Sequence, residues 1–75
     1  MNYSFSVIIK ETPAKFIINI VDRHIELVFK NSRIRDSQPN IIFNQNEIIY
    51  NWLGQDFYIH TEDITQIKNL YSFYF

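Results

Sequence analysis

The fold is decided by the stretch Phe16–Phe29, FIINIVDRHIELVF, in which two alternating apolar segments flank a polar pair. The residues expected on the inward face are Phe16, Ile18 and Ile20, followed by Ile25, Leu27 and Phe29. Alternation with period two is typical of a half-buried strand, whereas a helix repeats every 3.6 residues. The stretch therefore predicts two strands with a tight turn at Asp22-Arg23, or else one long strand that bends through Asp22.

The same pattern extends in both directions along the chain. The further predicted strands are Tyr3–Ile9, Ile41–Phe43, Ile48–Trp52 and Phe57–Ile59. Short strands joined by short turns are typical of an antiparallel meander. The sequence therefore predicts a mainly β fold, a small antiparallel sheet or partly open barrel of about six strands, with a short helical element near residues 61–70.

Three kinds of segment are predicted to separate the strands. Pro13 cannot donate a ladder hydrogen bond, so Glu11–Lys15 is expected to be a break. Lys30–Asn40 is the most polar stretch and is expected to be a loop. The predicted turns are Asn44–Glu47 and Leu53–Asp56, and the second contains the only glycine of the chain.

The C-terminal segment supports two interpretations. Thr61 is a suitable helix N-cap, and helical spacing relates Ile64, Ile67, Tyr71 and Tyr74. Residues 70–75, however, are apolar on both faces of a strand, and aromatic residues favour strands. We expect one helical turn at Glu62–Thr65 and a strand from about Gln66, with a helix through Leu70 as the alternative.

Composition limits the classes of function. The 75 residues suit one small domain, 1–75, and the absence of cysteine excludes disulfides and cysteine-ligated metal centres. A single glycine excludes phosphate-cradling loops, so we expect no catalytic residues, no cofactor and no enzyme activity. Seven basic and eight acidic residues argue against nucleic-acid binding. Apolar runs of at most three residues predict no membrane span, and we expect a cytoplasmic protein.

Imidazole and carboxylate groups lie close together in the sequence at two places. The two groups are Asp22, His24 and Glu26, and His60, Glu62 and Asp63. On a straight strand the first trio would share one face and could hold a metal ion or transfer protons. We favour the solvent face of an amphipathic strand for the first trio and cap chemistry for the second, so that neither is expected to bind metal.

The hypothesis about function is based on the aromatic residues of the chain. Rings make up 17% of the chain, and they crowd residues 71–75. This tail is either a central strand buried on both faces or an exposed interface. The residues expected to contact a partner are Arg33, Arg35, Trp52, Tyr58, Tyr71, Phe73 and Tyr74. The predicted function is a non-enzymatic protein–protein interaction module, such as a small phage or mobile-element inhibitor or adaptor that blocks a host enzyme or defence complex. This interface interpretation includes a homodimer formed across a strand edge.

One part of the chain is similar to a known family. A hairpin over Phe43–Tyr50, a second turn, and a strand leading into Asp63-Ile64 with another aliphatic residue at Ile67 resemble the middle of bacterial pleckstrin-homology-like domains. The resemblance covers Ile41–Ile67, roughly a third of the chain. The family usually has an aromatic residue near the position of Thr61, which this chain lacks. The chain is also expected to end before the family's C-terminal helix, which plugs one end of the barrel.

The resemblance implies a binding scaffold without catalysis. It supports an alternative function, a module that binds a lipid headgroup, a peptide or nucleic acid through a basic loop. The basic residues of that loop are Lys30, Arg33 and Arg35. Binding by this loop should weaken as salt concentration rises, whereas binding by an apolar interface should hardly respond.

Overall fold

The computed structural model describes residues 1–75 as one seven-stranded antiparallel sheet followed by one helix. The strands are β1 (Asn2–Ile9), β2 (Thr12–Asn19), β3 (His24–Phe29), β4 (Ser32–Asp36), β5 (Asn40–Phe43), β6 (Ile48–Trp52) and β7 (Gln55–His60), and the helix is α1 (Ile64–Tyr74). The order across the sheet is β4-β3-β2-β1-β7-β6-β5, so β4 and β5 are its free edges. The prediction of a mainly β antiparallel fold is confirmed, with seven strands in place of about six.

The sheet consists of two meanders, β1–β4 and β5–β7, which meet along a short seam. Only Ile8 and Ile9 of β1 pair with β7, opposite His60 and Ile59. The sheet curves strongly, because the ring centroid of Phe29 on β3 lies 6.1 Å from that of Phe57 on β7. This curvature places one concave face around a common core.

Two-residue turns with positive φ join β1 to β2 and β6 to β7, whereas residues 20–23 connect β2 to β3, a longer turn than the predicted one at Asp22-Arg23. Lys10 and Glu11 have φ of 48° and 64°, and Leu53 and Gly54 have φ of 51° and 82°. Positive φ at both central residues defines the type I′ turn, whose twist matches that of a hairpin. The expected break at Glu11–Lys15 is therefore wrong, because the turn ends at Glu11 and β2 begins at Thr12.

Pro13 is compatible with β2 for a local reason. The register of β2 with β3 begins at Ala14, opposite Phe29, so no β3 residue pairs beyond it with Pro13. Ladder hydrogen bonds alternate in direction along an antiparallel strand, and Thr12 closes the hairpin with Ile9. The missing N–H of Pro13 therefore lies at a position where no ladder bond is required.

The expected loop Lys30–Asn40 is also wrong, because Ser32–Asp36 forms β4. A two-residue turn at Lys30 and Asn31, with Lys30 at φ 55°, leads from β3 into β4. Only Ile34 of this strand is apolar, and it packs against the core. An edge strand pairs on one side only and commonly carries charge, so β4 lacks the apolar alternation on which the sequence argument depended.

The predicted strand from Gln66 is wrong as well, because Ile64–Tyr74 is helical. Ile67 is completely buried, and partly buried residues of the same helical face are Ile64, Leu70 and Tyr71. Asp63, not Thr61, is the N-cap, and the Thr61 hydroxyl accepts the Asp63 N–H at 3.0 Å.

The core lies on the concave face and is closed by the helix. The buried apolar side chains are Phe5, Val7, Ile9, Ala14, Phe16, Ile18, Ile25, Leu27, Ile48, Tyr50, Phe57, Ile59 and Ile67. Tyr50, although completely buried, donates its hydroxyl to Asp36 Oδ2 at 2.6 Å. This hydrogen bond links β6 to the end of β4 and satisfies the one hydroxyl in the core.

Candidate functional site

The predicted partner-binding residues are spread over several elements. Arg33 and Arg35 lie on β4, Tyr58 is exposed on β7, and Trp52 is half-buried against the core. The helix carries Tyr71, Phe73 and Tyr74. Among all seven residues, the only ring contact joins Phe73 to Tyr74, with centroids 4.8 Å apart and planes inclined at 71°. The structure therefore separates an aromatic surface from a basic one.

The aromatic surface borders a groove between the end of α1 and the start of β1. Its lining residues, here called the helix groove, are Tyr3, Gln66, Asn69, Leu70, Phe73 and Tyr74. The groove has a volume of about 400 Å³. Phe73 is 80% exposed at its rim, although it belongs to a helix whose opposite face is in the core. The predicted doubly buried strand is thus wrong, and part of the tail is open to solvent.

Tyr71 points away from the helix groove. Its ring stacks on Phe75 at 4.9 Å with planes 10° apart and packs against Phe43 at 5.6 Å. Its hydroxyl donates to the backbone oxygen of Pro39 at 3.1 Å. Burial, followed by the negative charge of Asp36, raises the pKa of Tyr71. These contacts give Tyr71 a role in holding the helix against the β4–β5 connection.

The basic surface is built around one buried carboxylate on the convex face of the sheet. The register of β3 with β4 places Glu26 opposite Arg35 and next to Arg33, whose partner is Val28. The Glu26 side chain is 5% exposed, whereas those of Arg33 and Arg35 are 55% and 66% exposed. We call Arg33, Arg35, Glu26 and His24 the basic edge.

Glu26 uses both carboxylate oxygens in the basic edge. His24 Nε2 donates to Glu26 Oε2 at 2.9 Å, and Arg33 Nη1 donates to Oε1. Arg35 Nε lies 3.8 Å from Oε2, a distance for charge attraction but not for a hydrogen bond. The hydrogen bond with His24 lowers the pKa of Glu26 most, and the two arginines also lower it, while burial opposes them. Glu26 is therefore ionised at neutral pH.

The basic edge keeps hydrogen-bonding capacity for a ligand. A guanidinium has five N–H donors, and Arg35 makes no hydrogen bond in the structure while Arg33 makes one. Two guanidinium groups over one carboxylate also leave an excess of positive charge. The surface can thus bind carboxylates or phosphates without breaking its contacts with Glu26.

The structure places the two acid–imidazole groups in different surroundings. In the first trio, Asp22 lies in the β2–β3 turn and accepts a hydrogen bond from Asn19 Nδ2 at 3.3 Å, apart from the His24–Glu26 pair. The expected solvent face is wrong for His24 and Glu26, which are both buried. In the sequence, Glu26 precedes the alternating arginines Arg33 and Arg35 by seven and nine residues, which is the spacing of a hairpin. This spacing could have indicated the contact, but only once β4 was known to be a strand.

The second trio lies along a larger, open groove at the β1–β7 seam. His60, Glu62 and Asp63 line this groove of about 760 Å³. His60 Nε2, however, lies 3.5 Å from Glu47 Oε2, an ion-pair contact across to the β5–β6 turn that the sequence argument missed. The trio itself makes no internal hydrogen bond, so its residues do not form one site.

No protein-family model matches this chain, and no curated protein or solved structure matches it significantly. The features that bear on function are therefore the helix groove and the basic edge. In addition, α1 is too short and too polar to cross a membrane.

Proposed function

We propose that this protein is a non-enzymatic protein-binding module whose contact with another protein centres on the helix groove. The observation that carries the proposal is the 80% exposure of Phe73 beside Leu70 and Tyr74. Burying a phenylalanine side chain in a partner is worth about 1.5–3 kcal/mol. Aromatic side chains at the centre of an interface often dominate its binding energy.

The helix supports this use of Phe73 because it is fixed independently of that residue. Ile67 and Tyr71 hold α1 to the core, so Phe73 can enter a partner's pocket without any rearrangement of the domain. A preformed anchor loses little conformational freedom on binding. The finer role that we propose is that of a cytoplasmic inhibitor or adaptor, encoded by a phage or mobile element, which covers the surface of a host enzyme or defence complex.

The test compares Phe73→Ala with Leu53→Ala. Leu53 is also exposed and apolar, but it lies in the β6–β7 turn, away from the helix groove. Partners captured by the immobilised wild-type chain would be identified and their affinities measured against both variants by calorimetry. We expect Phe73→Ala to weaken binding tenfold or more and Leu53→Ala to leave it unchanged. Equal binding by wild type and Phe73→Ala would contradict the proposal.

Light scattering distinguishes self-association from binding to another protein. If the partner is a second copy, the wild-type chain should be dimeric in solution and Phe73→Ala should be monomeric. A monomer at all concentrations would leave only a different protein as partner.

The exposed guanidinium groups of Arg33 and Arg35 favour a second candidate, the pleckstrin-homology-like binding module. In this candidate, α1 would be the counterpart of the C-terminal helix that plugs one end of the barrel in that family. In this candidate, Lys30 at the hairpin tip adds a third positive charge, with its Nζ 5.3 Å from the Phe29 ring centroid. Such binding would weaken steeply with salt, in contrast to binding through the helix groove.

A further inference from the structure

We infer that the free edge of β4 binds an acidic, extended segment of another protein by strand addition. This inference shares with the proposed function only the premise that the chain binds proteins. It uses a different surface from the helix groove, because no residue of β4 lines that groove.

The backbone of β4 has unpaired groups at the two arginines. Ser32 closes the two-residue turn opposite Phe29, so it forms the hydrogen-bonded pair at that end of the hairpin. Because the direction of the ladder bonds alternates, the N–H and C=O groups of Ile34 also point to β3, and those of Arg33 and Arg35 point outward. β4 has no second neighbour in the sheet. An added strand can therefore bond to both residues.

The side chains of the same two residues select for the charge of that strand. Arg33 and Arg35 share the convex face, and directly opposed like charges destabilise a strand pair. A second copy of β4 or a basic segment is therefore repelled, whereas acidic side chains two residues apart meet both guanidinium groups. The other edge strand, β5, has no charged side chain and cannot make this selection.

The basic edge contains a buried counterion, Glu26, which is not needed merely to protect a sheet edge from aggregation. Charged side chains on an edge strand can prevent aggregation without any buried counterion. Here a buried carboxylate accepts a hydrogen bond from Arg33 and attracts Arg35, which favours positions of both guanidinium groups on the convex face beside the free edge. Such ordering before binding lowers the entropic cost of holding an incoming carboxylate.

The probes for the test are three capped synthetic peptides. One alternates Glu and Val, the second alternates Lys and Val, and the third is the Glu–Val peptide with N-methyl groups on the amides that would face β4. Backbone amide spectra of the wild-type chain would be recorded during titration with each. We expect shifts concentrated at residues 32–36, affinity for the Glu–Val peptide at least tenfold higher than for the Lys–Val peptide, and a fall in that affinity with rising salt.

The N-methylated peptide separates strand addition from charge attraction alone, and we expect it to bind at least tenfold more weakly. Arg33→Gln with Arg35→Gln should abolish the preference for Glu over Lys, whereas Lys68→Gln, which removes a positive charge from α1, should not. Because the double variant leaves Glu26 without its arginines, a triple variant with Glu26→Gln provides a neutral comparison if the double variant unfolds.

Three outcomes would overturn the inference: equal affinity for the acidic and basic peptides, equal affinity for the N-methylated peptide, or binding to phosphatidylserine vesicles without binding to the acidic peptide. The test also distinguishes this surface from the helix groove. Phe73→Ala should bind the Glu–Val peptide as the wild type does, so failure of one proposal leaves the other standing.

Discussion

Replacing Ile67 by alanine tests whether α1 is held by tertiary packing. Ile67 is the only completely buried residue of the helix. Alanine has the higher helix propensity, so the substitution favours the isolated helix while it removes a side chain from the core. A loss of stability would therefore come from packing and not from the local preference of the chain.

The expected magnitude follows from burial. Truncation of a fully buried isoleucine to alanine costs about 2–5 kcal/mol, depending on how far the cavity collapses. A domain of this length has a free energy of unfolding of roughly 4–11 kcal/mol. Since each kcal/mol shifts the melting temperature of a small domain by about 4–8 °C, Ile67→Ala should melt at least about 8 °C lower than wild type.

Urea unfolding followed by fluorescence is the appropriate assay, because Trp52 is the only tryptophan and packs against the core. Phe73→Ala is the matched control, six positions further along the same helix but exposed. It should change the free energy of unfolding by no more than about 0.5 kcal/mol. A cost below about 1 kcal/mol for Ile67→Ala, or an equal cost for both variants, would refute this account of the helix.

Three further substitutions test other parts of the fold. Because the pKa of Glu26 is lowered in the folded state, the ionised carboxylate stabilises the fold fully above the ordinary pKa of about 4.3, and this stabilisation is lost as the pH falls through the lowered pKa. Glu26→Gln cannot lose it. Between neutral pH and about pH 3, the free energy of unfolding measured by urea titration should therefore fall less for Glu26→Gln than for wild type. Tyr50→Phe removes the hydrogen-bond donor to Asp36 and should lower the free energy of unfolding by about 1.5–3 kcal/mol at neutral pH. Burial, followed by Asp36, raises the pKa of Tyr50, so the greater stability of wild type over Tyr50→Phe should decline only above about pH 10, where the unfolded tyrosine ionises. Leu53→Asn should raise the melting temperature, because Leu53 is exposed at φ 51°, a left-handed conformation that costs most L-residues about 1–2 kcal/mol and that asparagine tolerates better. An unchanged or lower melting temperature would count against the turn geometry.

The strands that have an apolar face can be predicted from the local residue pattern alone. In β1, β2, β3, β6 and β7, alternating residues bury one side of the chain whatever the neighbouring strand is, so the pattern is visible locally. The turn at Gly54 was predictable for a related reason, because a residue without a side chain adopts positive φ at low cost. The antiparallel class then followed from the short connections between strands.

The tertiary structure decided the elements whose local preferences conflict or are weak. β4 contains one apolar residue and exists because β3 offers it a partner, and Glu26 is buried only because β4 brings Arg33 and Arg35 beside it. The aromatic tail satisfies strand and helix patterns equally well. The helix prevails because it places Ile67 in the concave face of a curved sheet, a surface created in part by β1, which lies 58 to 65 residues earlier in the sequence. Once the segment is helical, Phe73 is exposed because it lies off the face that carries Ile67.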